Sequence, residues 1–197
     1  RNYGEHVKEM GGDTKEEPPV FFSKPASAGG TFNQNVAYPQ ATKELHHEVE
    51  LVVALKSGGK DISPDSAMDC AYGYGVGIDF ARRDLQALAK DKGRPWDVAK
   101  RFDQSAPISA ILPASEVSQL SDAEISLKVN GEKRQQAQLS DMIWSVPEII
   151  CELSKFFELK PGDIIYTGTP SGVTAVIKGD RITASVAGIG SLDFKIV

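Results

Sequence analysis

The chain has 197 residues, with 22 basic against 27 acidic side chains and a formal charge of −5. That is enough chain for one domain with a full core, and a composition of 41% hydrophobic and 25% charged residues is that of a globular rather than a disordered protein. Modest acidity without a basic cluster among aromatics excludes a general nucleic-acid surface, and no run approaches the 18 apolar residues a membrane span needs. Cys70 and Cys151 lie far apart and outside any CxxC pair, which points to two buried thiols and a cytoplasmic, reducing setting. The chain opens at Arg1 without Met, so further residues are expected upstream.

One helical turn is expected over His6–Met10, stopped by Gly11–Gly12. Pro18–Pro19 restarts the chain, Val20–Phe22 reads as a short strand ending at Lys24–Pro25, and residues 26–40 read as a loop. A strand is expected from His47 to Lys56, turned by Ser57–Gly58–Gly59. Ser63 is the expected cap of a short helix, with Pro64 at its first position, that runs towards Ala71. From Gly73 to Asp79 glycines alternate with apolar residues, the composition of a strand that a ligand or another backbone approaches closely. Arg83–Lys92 has helical spacing through Leu85, Leu88 and Ala89 and is closed by Gly93.

Ala106–Leu112 reads as an apolar strand broken by Pro107 and closed by Pro113. Ile125–Gln135 alternates around Asn130–Gly131, the strongest hairpin signal in the chain. Asp141–Phe157 is an amphipathic helical pattern with Ile149, Ile150, Leu153, Phe156 and Phe157 on one side and Pro147 in its first turn. A strand at Ile164–Thr167 and a closing pair, Arg181–Val186 with Ser191–Ile196, complete the pattern. Many short strands, few modest helices and no βαβ rhythm predict an α+β, mostly β fold; no GxGxxG or phosphate-loop motif accompanies them.

The chemistry begins at Glu48 and Glu50, two acids on one face of a strand. Their spacing leaves open a solvent-facing edge strand and half of a metal site. Asp79 is a third acid in an apolar strand context, and none of the three has a lysine adjacent in sequence. An all-oxygen donor set suits Mg²⁺ before Mn²⁺ or Ca²⁺, whereas zinc would call for nitrogen or sulfur. His46 and His47 point opposite ways and read as surface or hydrogen-bonding groups. His6 and Glu9 share a face if helical, so the carboxylate can fix the imidazole tautomer for water activation; an exposed polar turn is the alternative. Lys24 and Lys100 are candidates to neutralise an anion, and Arg83 can grip a carboxylate in a bidentate fork. The hydroxyls and glycines of Thr167–Gly172 suit an oxygen-rich ligand or simply a tight turn. No GxSxG nucleophile elbow is present.

Taken in order, Arg1–Asn2–Tyr3 with His6 and Glu9, Phe22–Ser23–Lys24–Pro25, Glu48–Val49–Glu50, Gly77–Ile78–Asp79 with Arg83–Asp84, Ser140–Asp141–Met142–Ile143 and Thr167–Gly168–Thr169–Pro170–Ser171–Gly172–Val173 resemble the fumarylacetoacetate hydrolase family. The match covers nearly the whole chain and is nearest to the small acylpyruvase and fumarylpyruvate hydrolase branch. The resemblance implies a mixed β-sandwich roll, a single catalytic domain over residues 1–197 lacking its first N-terminal strand, a homodimer and a small-molecule oxo-acid substrate. It implies a divalent cation, Mg²⁺ or Mn²⁺, on Glu48, Glu50 and Asp79, and a water-activating pair at His6 and Glu9. Lys100 matches the family's active-site lysine; Lys24, Arg83, Gln86 and Thr169 match positions near the substrate, with more substrate contacts expected in 26–40. The implied reaction is hydrolysis of the C–C bond of a 3-acylpyruvate such as fumarylpyruvate, within aromatic catabolism. Oxaloacetate decarboxylation, keto–enol tautomerisation and non-catalytic binding of a small oxygen-rich ligand are the alternatives.

Overall fold

The computed structural model describes residues 2–9, 18–30 and 34–197. The strands are β1 (Gly29–Gly30), β2 (Leu45–His46), β3 (Val49–Leu55), β4 (Ala71–Ile78), β5 (Ala81–Arg82), β6 (Ala106–Pro107), β7 (Leu112–Pro113), β8 (Glu124–Val129), β9 (Glu132–Gln138), β10 (Ile164–Tyr166), β11 (Ala175–Val176), β12 (Arg181–Val186) and β13 (Gly190–Lys195). The α-helices are α1 (Gly4–Glu9), α2 (Pro64–Ala67), α3 (Arg83–Asp91), α4 (Asp97–Lys100) and α5 (Val146–Phe156). Arg1, the expected helix stop at Met10–Gly12 and residues 31–33 of the expected loop lie outside the described residues.

Among the described residues the fold is mostly β, built from three antiparallel sheets, β10-β3-β4-β7, β13-β12-β8-β9 and β11-β2-β5, with a short parallel pair β1-β6. The two four-stranded sheets face each other, β4 against β12 and β13 and β3 against β8. Their inner faces form one core, in which Leu51, Val53, Val76 and Ile78 meet Ile125, Leu127, Ile182 and Leu192. Period two then decides where the acids go. Val49, Leu51, Val53 and Leu55 enter the core, so Glu50 and Val52 face away from it. On β4 the core takes Tyr74, Val76 and Ile78 and leaves the glycines on the opposite face. The Tyr166 ring occupies the space there: a Cβ on Gly77 would lie 2.4 Å from Tyr166 Cε1. The glycine-rich strand is a close-approach strand, as its composition predicts.

The edge-strand reading of residues 48–53 is overturned, because β3 is paired on both sides, with β10 and β4. The strand starts at Val49 rather than His47. Leu45–His46 belongs to a different sheet, between β11 and β5, and the chain changes sheets at His47–Glu48. Val20–Phe22 forms no strand; Pro19 and Pro25, which lack N–H donors, flank it. The prolines likewise reduce the expected Ala106–Leu112 strand to β6 and β7, with Ile108 making one bridge to Gly77. Helix α5 starts later than the apolar spacing suggests, at a capping box of Ser145 and Glu148 after a separate 3-10 turn at Leu139–Asp141. Ile149 and Ile150 are buried, but Phe156 and Phe157 are 68% and 56% exposed, since the backbone turns extended at Phe157. Asn130–Gly131 turns the β8–β9 hairpin as expected, with Asn130 at φ 52°. Both cysteines are buried and free. Among the described residues no helix is long and apolar enough to cross a membrane.

Candidate metal and active site

Glu48 leaves the sheet change at His47–Glu48, Glu50 leaves β3 two residues later, and Asp79 follows the end of β4, which pairs with β3 so that Val49 sits opposite Ile78. This register brings one oxygen from each acid within 4.8 Å of the others. All three side chains are buried, at 8%, 5% and 2% exposure. Buried carboxylates this close need cations, and long-range contacts supply them. Lys100, itself 1% exposed, donates to Glu48 Oε2 at 3.0 Å and Asp79 Oδ2 at 2.8 Å. Arg83 donates to Glu48 Oε1 at 2.5 Å and to Gln86 Oε1 at 2.5 Å. Sequence adjacency therefore misses the pairing: the lysine partners come from positions 24 and 100.

Lys24 Nζ lies 2.9 Å from Asp79 Oδ1, yet that oxygen has no hydrogen bond. The two observations agree once the lysine's other neighbours are counted. Its ammonium also lies within hydrogen-bond distance of the carbonyls of Phe80 (3.1 Å), Lys100 (2.5 Å) and Ser105 (3.2 Å) and of Ser105 Oγ (2.9 Å), which compete with Asp79 for its three hydrogens. Asp79 Oδ1 is thus a buried oxygen that lies in an ion pair with Lys24 but has no hydrogen bond among the described residues.

The acids divide by environment. Burial pushes the Glu48 carboxyl up, but Lys100 and then Arg83 outweigh it and hold the group well below the usual carboxylate range. Among the described residues Glu50 receives only the Gly168 N–H, at 2.6 Å, and it is pushed up to about 8, first by burial and then by the charges of Asp79 and Glu48. Burial lowers Lys24, with Asp79 opposing; it also works against Lys100, whose ammonium is nevertheless raised by Asp79 and Glu48. An acid forced towards neutrality and an aspartate oxygen without a hydrogen bond are both relieved by a cation in their midst. The all-oxygen donor set fits a hard divalent ion held by Glu48, Glu50 and Asp79.

His6 and Glu9 do share a face of α1, with Nδ1 3.3 Å from Glu9 Oε2. Burial lowers the imidazole, the Glu9 hydrogen bond opposing. The Thr167–Gly172 turn touches both parts of the site. Its Gly168 N–H bonds Glu50, and its Gly172 N–H lies 3.3 Å from Glu9 Oε1. Every sequence-named site residue except Glu9 lines one cavity of about 800 Å³: His6, Lys24, Glu48, Glu50, Asp79, Arg83, Gln86, Lys100 and Thr169.

The sequence matches the fumarylacetoacetate (FAA) hydrolase C-terminal family over residues 1–197. The chain belongs to that family. Fumarylpyruvate hydrolase of Ralstonia sp is 41% identical over 184 residues, covering 93% of this chain and 95% of the relative. The mitochondrial oxaloacetate tautomerase of Homo sapiens is 41% identical over 196 residues, 100% of this chain and 88% of that protein. The crystal structure of fumarylpyruvate hydrolase from Pseudomonas aeruginosa in complex with Mn²⁺ and pyruvate matches with a TM-score of 0.97 at 47% identity, covering 100% of this chain and 86% of that one.

Around this candidate site the sequence gives little sign of four supporting residues. Asn2 is buried and splices the N-terminal segment to the site, donating to the carbonyls of Trp144 and Thr167 at 2.8 Å each and accepting from the Trp144 N–H at 2.7 Å. Tyr166 lines the cavity and donates to the Ala106 carbonyl at 2.9 Å. Trp144 lines it from just before α5. Gln135, 1% exposed on an otherwise polar strand, bonds His47 and the Thr167–Gly172 turn. His47 is a buried hydrogen-bonding histidine, pushed down to about 4 by burial with Gln135 opposing.

Proposed function

We propose that this chain is a divalent-metal-dependent hydrolase that cleaves the C–C bond of a 3-acylpyruvate, fumarylpyruvate or a close analogue, to pyruvate and a carboxylic acid. The observation that carries this reading is the convergence of an all-oxygen acidic triad and a His6–Glu9 pair on one cavity-bearing site. The fumarylpyruvate hydrolases at 41% and 47% identity support it.

When bound, a hard cation such as Mg²⁺ or Mn²⁺ on Glu48, Glu50 and Asp79 would act as a Lewis acid towards the 1,2-dicarbonyl end of the substrate. Glu9 accepts the Nδ1 hydrogen of His6 and leaves Nε2 as the basic nitrogen. Burial keeps that imidazole unprotonated at neutral pH, so it can take a proton from water. The water oxygen adds to the distal acyl carbonyl. The bond from that carbon to the pyruvate methylene then breaks, its electron pair staying on the methylene carbon, where protonation completes pyruvate. Lys100, Lys24 and Arg83 supply the positive surroundings in which this negative charge develops, and Gln86 and Thr169 orient the substrate.

Release of pyruvate from a panel of acylpyruvates with added Mg²⁺ tests the proposal; no turnover on any member refutes it. A second reading, oxaloacetate tautomerisation or decarboxylation, is favoured by the human tautomerase relative. These reactions need no attacking water, so His6→Ala should depress hydrolysis at least tenfold more than either of them. Equal losses would remove His6 from the water-activating role. The same reading includes a homodimer, checked by light scattering, in a reducing cytoplasmic setting that suits the two free thiols.

A further inference from the structure

Gln135 of β9 is held by two backbone groups that fix the direction of its amide. Its Oε1 lies 3.1 Å from the Val49 N–H, which only donates, and its Nε2 lies 2.8 Å from the Pro170 carbonyl, which only accepts. The side chain therefore cannot be flipped. Oε1 also meets His47 Nδ1 at 2.9 Å, so His47 carries a hydrogen there, while His47 Nε2 lies 3.0 Å from Thr174 Oγ1. The second Nε2 hydrogen of Gln135 goes to Thr169 Oγ1 at 2.8 Å. Thr169 accepts in that bond and retains its own hydrogen for another partner. Thr169 is 2% exposed and lines the cavity beside the acidic triad. Among the described residues no other group takes that hydrogen.

We infer that Gln135 is a positioning residue that acts through Thr169, fixing its hydroxyl as a hydrogen-bond donor to an oxygen of the bound 2-oxo acid. The inference rests on the reading of this cavity as an oxo-acid site. An ionised carboxylate or a ketone offers only acceptors, so a hydroxyl committed to donating matches it, and one turned to present lone pairs repels it. Gln135 thereby sets the polarity of a group that meets the substrate, without touching the substrate itself.

The experiment measures oxalate binding to the Mg²⁺-loaded protein by calorimetry, with Mg²⁺ binding alone as the control. In Gln135→Glu the side chain keeps its size and still accepts from Val49, but it has no hydrogen for Thr169, whose hydroxyl then turns to donate to the carboxylate. Oxalate affinity should fall about 10- to 100-fold, with Mg²⁺ affinity within about threefold of wild type and KM for acylpyruvate raised more than kcat is lowered. Thr169→Val should give a similar loss, Thr169→Ser should retain binding, and the Gln135→Glu change should add nothing in the Thr169→Val background. Gln135→Leu, which disrupts more packing but leaves Thr169 free to donate, should lose less than Gln135→Glu; this order also serves if the Glu variant folds poorly. Unchanged oxalate binding in Gln135→Glu, losses that multiply with Thr169→Val, or a larger loss in the Leu variant overturns the inference. A wild type that binds oxalate but turns over no acylpyruvate refutes the reaction while the binding arms still decide the role of Gln135. A wild type that binds no oxalate overturns both.

Discussion

Glu50→Gln isolates the least comfortable charge in the molecule. Glu50 is 5% exposed and raised to about 8, with one backbone N–H as its hydrogen-bond partner. An acid raised on folding contributes its full share of stability below its unfolded value and loses it as pH climbs towards the folded value. With an ordinary carboxyl in the unfolded chain, the cost of keeping Glu50 protonated in the metal-free fold is under about 1 kcal/mol at pH 5 and about 3 kcal/mol at pH 7. Gln carries no such cost and its amide oxygen can still accept from Gly168. In urea titrations of metal-stripped protein, the Gln variant should therefore gain about 2–3 kcal/mol on wild type between pH 5 and pH 7. Metal binding has the same origin. The ion displaces the Glu50 proton, so wild-type Mg²⁺ affinity should rise up to about tenfold per pH unit and level off above about pH 8, and the Gln variant should lack that slope. A stability difference that does not change with pH would refute the account of Glu50 as the proton-bearing acid of the cluster.

Asp79→Asn leaves the packing intact but removes a charged donor, and Mg²⁺ affinity by calorimetry should fall more than about 100-fold; an unchanged value excludes Asp79 as a ligand. Lys100→Met strips Glu48 and Asp79 of their shared buried partner and should cost about 3–5 kcal/mol in metal-free protein. Mg²⁺ at a hundred times its dissociation constant should restore about 2.7 kcal/mol of that variant's stability, read from the denaturation midpoint with and without chelator. Gly172 sits at φ 93° with the Arg134 carbonyl oxygen 2.0 Å from where a Cβ would be. Gly172→Ala should lower stability by about 1–3 kcal/mol and kcat/KM with it; unchanged values would show that the turn is not clamped on β9.

What could be read from sequence was whatever the local chain decides. The alternation in β3 separates Val49 and Leu51 from Glu50, Asn130–Gly131 marks its hairpin, and the glycines of β4 announce a close neighbour without naming Tyr166. The ordered family motifs add candidate residues, all but Glu9 of which the structure gathers on one cavity. Three kinds of fact were hidden. Strand readings failed where flanking prolines removed donors and no described strand pairs with the segment, as at Val20–Phe22. Phe156 and Phe157 follow the helical apolar spacing but lie at the end of α5, beyond the core. The charge balance depends on partners distant in sequence, Lys24 and Lys100 for Asp79 and Arg83 for Glu48, and no periodicity predicts them. Gln135 was missed for the same reason, because a glutamine on a polar hairpin strand looks like solvent decoration until the His47 and Thr169 side chains close around it.

The Thr167–Gly172 turn holds Glu50 with one amide and Glu9 with another. Ion capture and the helix that carries His6 are consequently tied to the same short length of backbone. Loss of the ion slackens both ends of that tether, so α1 should exchange its amide hydrogens faster and yield to protease sooner in chelator-treated protein than in the loaded form. Without its metal, the chain would then present a loosened α1 as well as an unneutralised acidic cluster, so that under the proposed reading the loss of the ion would also loosen the hold on His6.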